Sequence, residues 1–359
     1  MDYQKKYELW LNNVKDVAYQ KELLEMSEEQ KKKVFFKDIE FGTAGMRGIV
    51  GLGSNCMNIY TVGRVTEAIC VYMKNNKKSS IAVSYDTRKM SDEFAKLVSC
   101  ICASHGIKVY LSKDMMPTPF LSYMVRYYKT DMGVMITASH NPKDYNGYKV
   151  YDCNGSQLLE KPAREIMKIA GKVDQFTINQ MNYKLALKSK LIVLTDSKIK
   201  ADYFKEVQKR SINRIENLKV VYTALNGTGI QTLPELIHQQ GAKVILNKTQ
   251  CKPDENFTTC PYPNPEKIEV YNSSIEIAKK HAADVIVASD PDADRIGIMA
   301  LHNGDYVYLT GNQMGALLAD YLLSNRSVSG GFLVRSVVST SLVDKIAKKY
   351  GAKVGVVLT

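Results

Sequence analysis

The pattern of apolar and polar positions changes along the chain. The first forty residues read as helical, and "SEEQ" (Ser27 to Gln30) has the spacing of a capping box ahead of a helix that runs into Phe35 and Phe36. Beyond them, strand-like apolar runs alternate with helix-like stretches, the signature of α/β architecture. One unit recurs. The apolar strands "IAVSYD" (81–86), "VVYTAL" (220–225) and "FLVRSV" (332–337) are each followed by a helix-like stretch. Then come "HGIKVYL" from His105, "QGAKVIL" from Gln240 and "YGAKVGV" from Tyr350. Each glycine suits the left-handed position just past a helix end. Three copies in matching context predict three related α/β domains with mixed sheets, divided at 1–192, 193–305 and 306–359. In the third, the strand "KVGVVL" ends with the chain at Thr359, where an open parallel sheet would begin a ligand-binding loop. The third domain is therefore expected to be incomplete. The segment "CKPDENFTTCPYPNPEK" (251–267) holds four of the ten prolines and reads as a long loop inside the second domain.

Composition narrows the class. At 359 residues, with 45% apolar and 24% charged residues, the chain has the make-up of a soluble globular protein of several domains. No apolar run approaches a membrane span, and the polar N-terminus "MDYQKKYELWLNN" has no signal-peptide core, so no membrane association is expected. Seven scattered cysteines without a C-x-x-C argue against a disulfide framework or a zinc site and fit a cytoplasmic location. The net charge of +12 raises nucleic-acid binding. The lysines are spread, however, as in "NNKKSS" and "ALKSKL", so a solvated surface with some attraction for phosphates is the better reading.

Three segments carry chemistry. In "VIVASDPDADRIGI" (285–298) a β-branched strand runs into Asp290, Asp292 and Asp294, followed by Arg295. Alternate carboxylates in a tight turn converge and repel unless a divalent cation joins them, and all-oxygen ligands favour Mg²⁺ or Ca²⁺. An EF-hand is excluded because its sixth and twelfth positions are Arg295 and Leu301. The alternative is a polar turn with an aspartate cap. "EFGTAGMRGIVG" (40–51) repeats glycine every third residue around Arg47. It reads either as a plain turn or as a loop whose N–H groups and guanidinium meet a phosphate. In "GVMITASHNPKDYNG" a buried strand opens into a turn-rich loop, which puts Ser139 at a strand's carboxyl end, exposed where ligands bind. The neighbouring His140 suggests a serine hydrolase. That chemistry wants a G-x-S-x-G elbow, and the chain has T-A-S-H-N. Phosphoryl transfer accounts for the metal loop, the arginine loop and the serine together.

Together these segments resemble the α-D-phosphohexomutases, the phosphoglucomutase and phosphomannomutase superfamily. "TASHNPKDYNGYK" resembles its phosphoserine loop, "DPDADR" its metal loop and "GTAGMRG" its N-terminal phosphate-contacting loop. The resemblance runs from about Phe35 onward. The helical extension, "YTVGR" (60–64) and the proline-rich loop look most like the phosphopentomutase-like branch. It implies that Ser139 carries a phosphoryl group and that Ser139, Asp290, Asp292 and Asp294 bind Mg²⁺. It also implies that Arg47 and Arg295 contact phosphate and that His140 and Lys149 serve as acid/base groups. The implied reaction interconverts hexose 1-phosphate and 6-phosphate, glucose foremost, through glucose 1,6-bisphosphate. On pattern alone Lys149 could be an exposed strand lysine and His140 a structural hydrogen-bonder. The Asp86/Arg88 pair of "SYDTR" reads as structural, and "LNGTG" (225–229) as a turn rather than a second phosphate site.

Members of that family have four domains, the third with a Glu-Ser-Gly type sugar loop and the fourth with a loop for the substrate phosphate. Neither loop is found between residues 310 and 359, where Thr359 resembles the start of the next one. The expectation is thus an N-terminal part of a mutase with little or no turnover. The alternatives are an inactive phosphosugar-binding or regulatory protein, a phosphomannomutase or a phosphopentomutase. The partner in each case is a phosphosugar and no nucleic acid; the sequence sets no oligomeric state.

Overall fold

The computed structural model describes residues 2–42, 45–326 and 330–358. Thr43 and Ala44 of the glycine-rich loop and the terminal Thr359 lie outside the described residues.

The expected capping box forms: Ser27 accepts from the Gln30 N–H, and the Gln30 side chain accepts from the Ser27 N–H. It opens the helix Glu28–Phe35, the third of three N-terminal helices after Tyr3–Asn13 and Val17–Glu25. Their apolar faces close on Trp10, Val14, Leu23 and Phe35, and Trp10 packs edge-on against Phe35, Tyr60 and Phe176. Buried aromatic area thereby fastens the extension to the first α/β unit, to which Tyr60 and Phe176 belong.

The first sheet has seven strands: β1 (Phe41–Gly42), β2 (Gly45–Ile49), β3 (Ser80–Tyr85), β4 (Lys108–Leu111), β5 (Met132–Ile136), β6 (Tyr145–Asp152) and β7 (Ile192–Leu194). Their order is β1-β2-β6-β5-β3-β4-β7, parallel from β5 to β7 and antiparallel on the other side. β5 is buried along its whole length, as expected of a central strand covered on both faces. The second sheet holds β8 (Lys219–Thr223), β9 (Lys243–Leu246), β10 (Val285–Ser289), β11 (Ile296–His302) and β12 (Asp305–Leu309), in the order β12-β11-β10-β8-β9. It continues to Leu309, past the expected division at 305. Beyond it, β13 (Phe332–Ser336) and β14 (Lys353–Val357) pair in parallel. The helices Gly311–Ser324 and Leu342–Lys349 pack together through Ala316, Ala319 and Val343.

The repeated unit is physical. In each copy the lysine of Gly-x-Lys-Val faces the first residue of the partner strand: Ser80 with Lys108, Lys219 with Lys243, and Phe332 with Lys353. Gly106, Gly241 and Gly351 all have positive φ, at 74°, 106° and 74°, the left-handed helix end expected. The loops that leave the carboxyl ends of β5 and β10 meet, bringing Ser139 against Asp290.

Candidate active site

Ser139 leaves β5 three residues past its end and adopts φ 54°, a left-handed conformation that costs a non-glycine residue about 1 kcal/mol or more. Its N–H donates to Thr137 Oγ1 at 2.8 Å. Its hydroxyl donates to Asp290 Oδ2 at 2.8 Å, and His140 Nδ1 lies 3.3 Å from the same Oγ. The expectation of an exposed serine is corrected: Ser139 is 1% exposed, because the loop after β10 covers it.

That loop carries the three aspartates. Asp290 and Asp292 are fully buried, and one oxygen from each of Asp290, Asp292 and Asp294 lies within 4.8 Å of the others. The turn is held from both sides. Thr118, which begins the helix Thr118–Tyr128 of the first unit, donates its N–H to the Asp292 carbonyl and its hydroxyl to Asp292 Oδ2, both at 2.8 Å. Thr228 donates its N–H and its hydroxyl to the Pro291 carbonyl at 2.8 and 2.9 Å. "LNGTG" is therefore a buttress for the aspartate turn. A Cβ on Gly227 would come within 2.3 Å of Pro291 Cα, so only glycine fits there.

Lys149 on β6 overturns its reading as an exposed strand lysine. It is 4% exposed, and its Nζ donates to Asp292 Oδ2 at 2.8 Å and Asp294 Oδ2 at 3.1 Å. Burial disfavours its charge, but Asp292 and Asp294 outweigh burial and hold its pKa above the ordinary lysine value. Burial also works to raise Asp292, yet the Lys149 charge and hydrogen bonds from Lys149 and Thr118 keep it below the usual carboxylate value. Asp290 moves the other way: burial and the adjacent carboxylates push it well up. Asp292 Oδ1 is buried without a hydrogen-bond partner. Such an atom asks for a cation, and an all-carboxylate donor set suits a hard divalent ion such as Mg²⁺.

The arginines stand around this centre. Arg47, on β2 opposite Gly147, donates to Asn141 Oδ1 at 3.4 Å, and Arg295 Nη1 lies 3.6 Å from Glu266 Oε1. Both are near enough to act on His140, whose pKa is lowered first by burial and then by Arg295 and Arg47. Beside His140 opens a cavity of about 500 Å³, lined by Thr259, Cys260, Pro261 and Tyr262 of the proline-rich segment and by Gln250 and Lys267. All the candidate residues thus gather at one place. Two further residues come with them that the sequence reading did not assign to it: Thr118, and Arg88, which lies beneath the serine loop and donates to its carbonyls. A threonine after proline and an arginine beside aspartate carry no local signal of this.

The geometry agrees with what the chain is similar to. The description "Phosphoglucomutase/phosphomannomutase, alpha/beta/alpha domain I" matches residues 38–177, that of domain II residues 201–303, and that of domain III residues 310–359. A phosphoglucomutase of Staphylococcus haemolyticus is 39% identical over 337 residues, covering 90% of this chain and 60% of its own. One of Staphylococcus aureus is 35% identical over 363 residues, covering 98% and 64%. A solved phosphoglucomutase/phosphomannomutase family protein of Burkholderia thailandensis shares the fold with a TM-score of 0.73 at 20% identity, over 89% of this chain and 66% of that one. The chain spans 60–64% of the length of these curated relatives. The expectation of an N-terminal part only is not borne out, since descriptions of three domains match. Among the described residues no helix is long and apolar enough to cross a membrane.

Proposed function

The chain belongs to the phosphoglucomutase/phosphomannomutase family, and on that premise we propose that it transfers phosphoryl groups to and from a hexose phosphate through Ser139. The observation that carries this reading is the meeting of Ser139 Oγ with Asp290 at 2.8 Å, inside a ring of three carboxylates and one ammonium. A hydrolase would leave its serine open to an acyl substrate and water. Here the serine is turned toward groups that hold charge.

In the proposed cycle the bond from phosphorus to Ser139 Oγ breaks as one forms to a sugar hydroxyl oxygen. The hydroxyl proton leaves to a base. His140 is the base, since its lowered pKa keeps the imidazole neutral near pH 7. Lys149 keeps its proton and acts as a fixed positive charge against the equatorial oxygens. Arg47 and Arg295 flank the loop and hold the phosphate from outside. When bound to Asp290, Asp292 and Asp294, Mg²⁺ supplies charge neutralisation for the carboxylates and the moving phosphoryl group. In the return step the bond from phosphorus to the other ester oxygen of the bisphosphate, glucose 1,6-bisphosphate for a glucose substrate, breaks as one forms to Ser139 Oγ, and the proton held by the base goes to the sugar oxygen released. The unit to residue 192 contributes the serine and the lysine, the unit from 193 to 305 the metal loop, and 306–359 the third unit.

Intact-mass spectrometry after incubation with glucose 1,6-bisphosphate and Mg²⁺ tests this. One added phosphoryl group is expected, lost in Ser139→Ala. A wild-type chain that gains none would overturn the reading.

A further inference from the structure

Beneath the serine loop lies a group that the reaction does not use directly. Arg88 has a fully buried side chain. Its Nη2 donates to the carbonyls of Ser139 and Asn141, both at 2.6 Å, and its Nη1 to those of Pro142 at 2.8 Å and Tyr145 at 2.9 Å. One guanidinium thus collects four carbonyls along the stretch from Ser139 to Tyr145, most of it loop between β5 and β6 with no strand ladder to satisfy it. The start of β6 adds a second fastening: Asn146 Nδ2 donates to the Lys89 carbonyl and to Ser91 Oγ, each at 2.9 Å.

Arg88 is itself fixed. Its N–H donates to Asp86 Oδ1 at 2.9 Å, and Asp86 Oδ2 lies 3.4 Å from its Nε. Over its face sits the ring of Phe257, with the guanidinium carbon 5.0 Å from the ring centre. Phe257 is fully buried and belongs to the proline-rich segment of the second unit, so the two units meet on this one cation. Charge alone would not need an arginine here. Four acceptors spread along a loop need the planar fork, and a lysine's point charge cannot span them.

We propose that Arg88, capped by Phe257, is the positioning residue for Ser139: it holds the loop in the left-handed conformation that presents Oγ to the aspartate centre. The proposal rests on the reading of Ser139 as the phosphoryl carrier. The proline-rich segment then has a definite task, which is to close the second unit over the guanidinium.

The test compares wild type, Arg88→Lys, Arg88→Ala and Phe257→Leu in two measurements. One is the rate of phosphoryl uptake from glucose 1,6-bisphosphate by intact mass. The other is amide hydrogen exchange, resolved by segment. In Arg88→Lys the uptake rate constant falls on the order of 100-fold, as for a misplaced nucleophile. Its half-saturating bisphosphate concentration stays within about threefold, because ground-state binding is not the interaction lost. Exchange rises in 138–146 and not in β3 or β8. Phe257→Leu, the milder change, lowers the rate about tenfold. Added guanidinium restores part of the rate to Arg88→Ala. Uptake at the wild-type rate in Arg88→Lys, a loss expressed in the half-saturating concentration, or loss of protection throughout the first sheet would each overturn the proposal. If wild type takes up no phosphoryl group, the carrier reading fails by itself. The exchange comparison still decides whether Arg88 holds the loop, and unchanged protection of 138–146 in Arg88→Lys sinks that claim.

Discussion

Replacing Lys149 by methionine removes the only ammonium on the aspartate centre among the described contacts and keeps most of its volume. At an effective dielectric of about 20, the 2.8 Å contact with Asp292 and the 3.1 Å contact with Asp294 are each worth roughly 5–6 kcal/mol of attraction. Desolvating the ions consumes much of that, at several kcal/mol per ion, so the intact pair is close to neutral for stability. Removing one partner is different. Asp292 would stay buried with Oδ1 already lacking a partner, Oδ2 keeping only Thr118, and the adjacent Asp290 carboxyl unable to compensate. The expected loss is about 3–5 kcal/mol for a broken buried pair. Urea unfolding followed by circular dichroism in chelator-treated buffer measures it, with Asp292→Asn and the double variant completing a cycle. A coupling energy of at least about 2 kcal/mol is expected, so that the double variant recovers much of the loss. A single-variant loss under about 1 kcal/mol with additive effects would show that Lys149 does not compensate a buried carboxylate, and the electrostatic account of the site would fall with it.

Two other consequences concern the rest of the chain. Of the seven free cysteines only Cys153 is exposed, and burial pushes Cys56 and Cys251 up to about 11 and Cys260 to about 12, so a thiol reagent should find one fast group in the folded protein. Two or more fast thiols without denaturant would contradict the packing. Asp38 ties the first helix to the body through Lys6 at 2.8 Å and Arg64 at 3.7 Å; burial opposes its charge, but those cations hold its pKa below the ordinary carboxyl value. A depressed folded pKa gives stability that is present above about pH 4 and is lost as pH falls through the folded value. Emission of Trp10, the one tryptophan, should therefore shift to the red in that acid range and shift less in Asp38→Asn; identical titrations would refute the role.

What could be read from the chain alone was whatever local chemistry decides. The Gly-x-Lys-Val echo was legible because a helix end and the strand after it are set by neighbouring residues, and the three registers agree. The aspartate turn and the serine loop were legible because each leaves an apolar strand, where the pattern changes from β-branched to turn residues. Burial was not legible. Ser139 is covered by a residue 151 positions later, and Lys149 meets partners 143 and 145 positions away. No window along the sequence contains both sides of those contacts.

Arg88 shows a deeper limit. Its neighbour Asp86 offered a complete explanation, a local ion pair, and the residues it serves, 51 to 57 positions away, accept through backbone carbonyls. A carbonyl has no side-chain signature, so nothing in "SHNPKDY" announces a need for a guanidinium. The same holds for Phe257, which reads as one apolar residue in a loop of prolines and yet covers that cation. Charged side chains that point at one another are visible in a sequence as complementary letters. A charge that organises main chain is visible only once the chain is folded, and in this protein the conformation of Ser139 depends on one of that second kind.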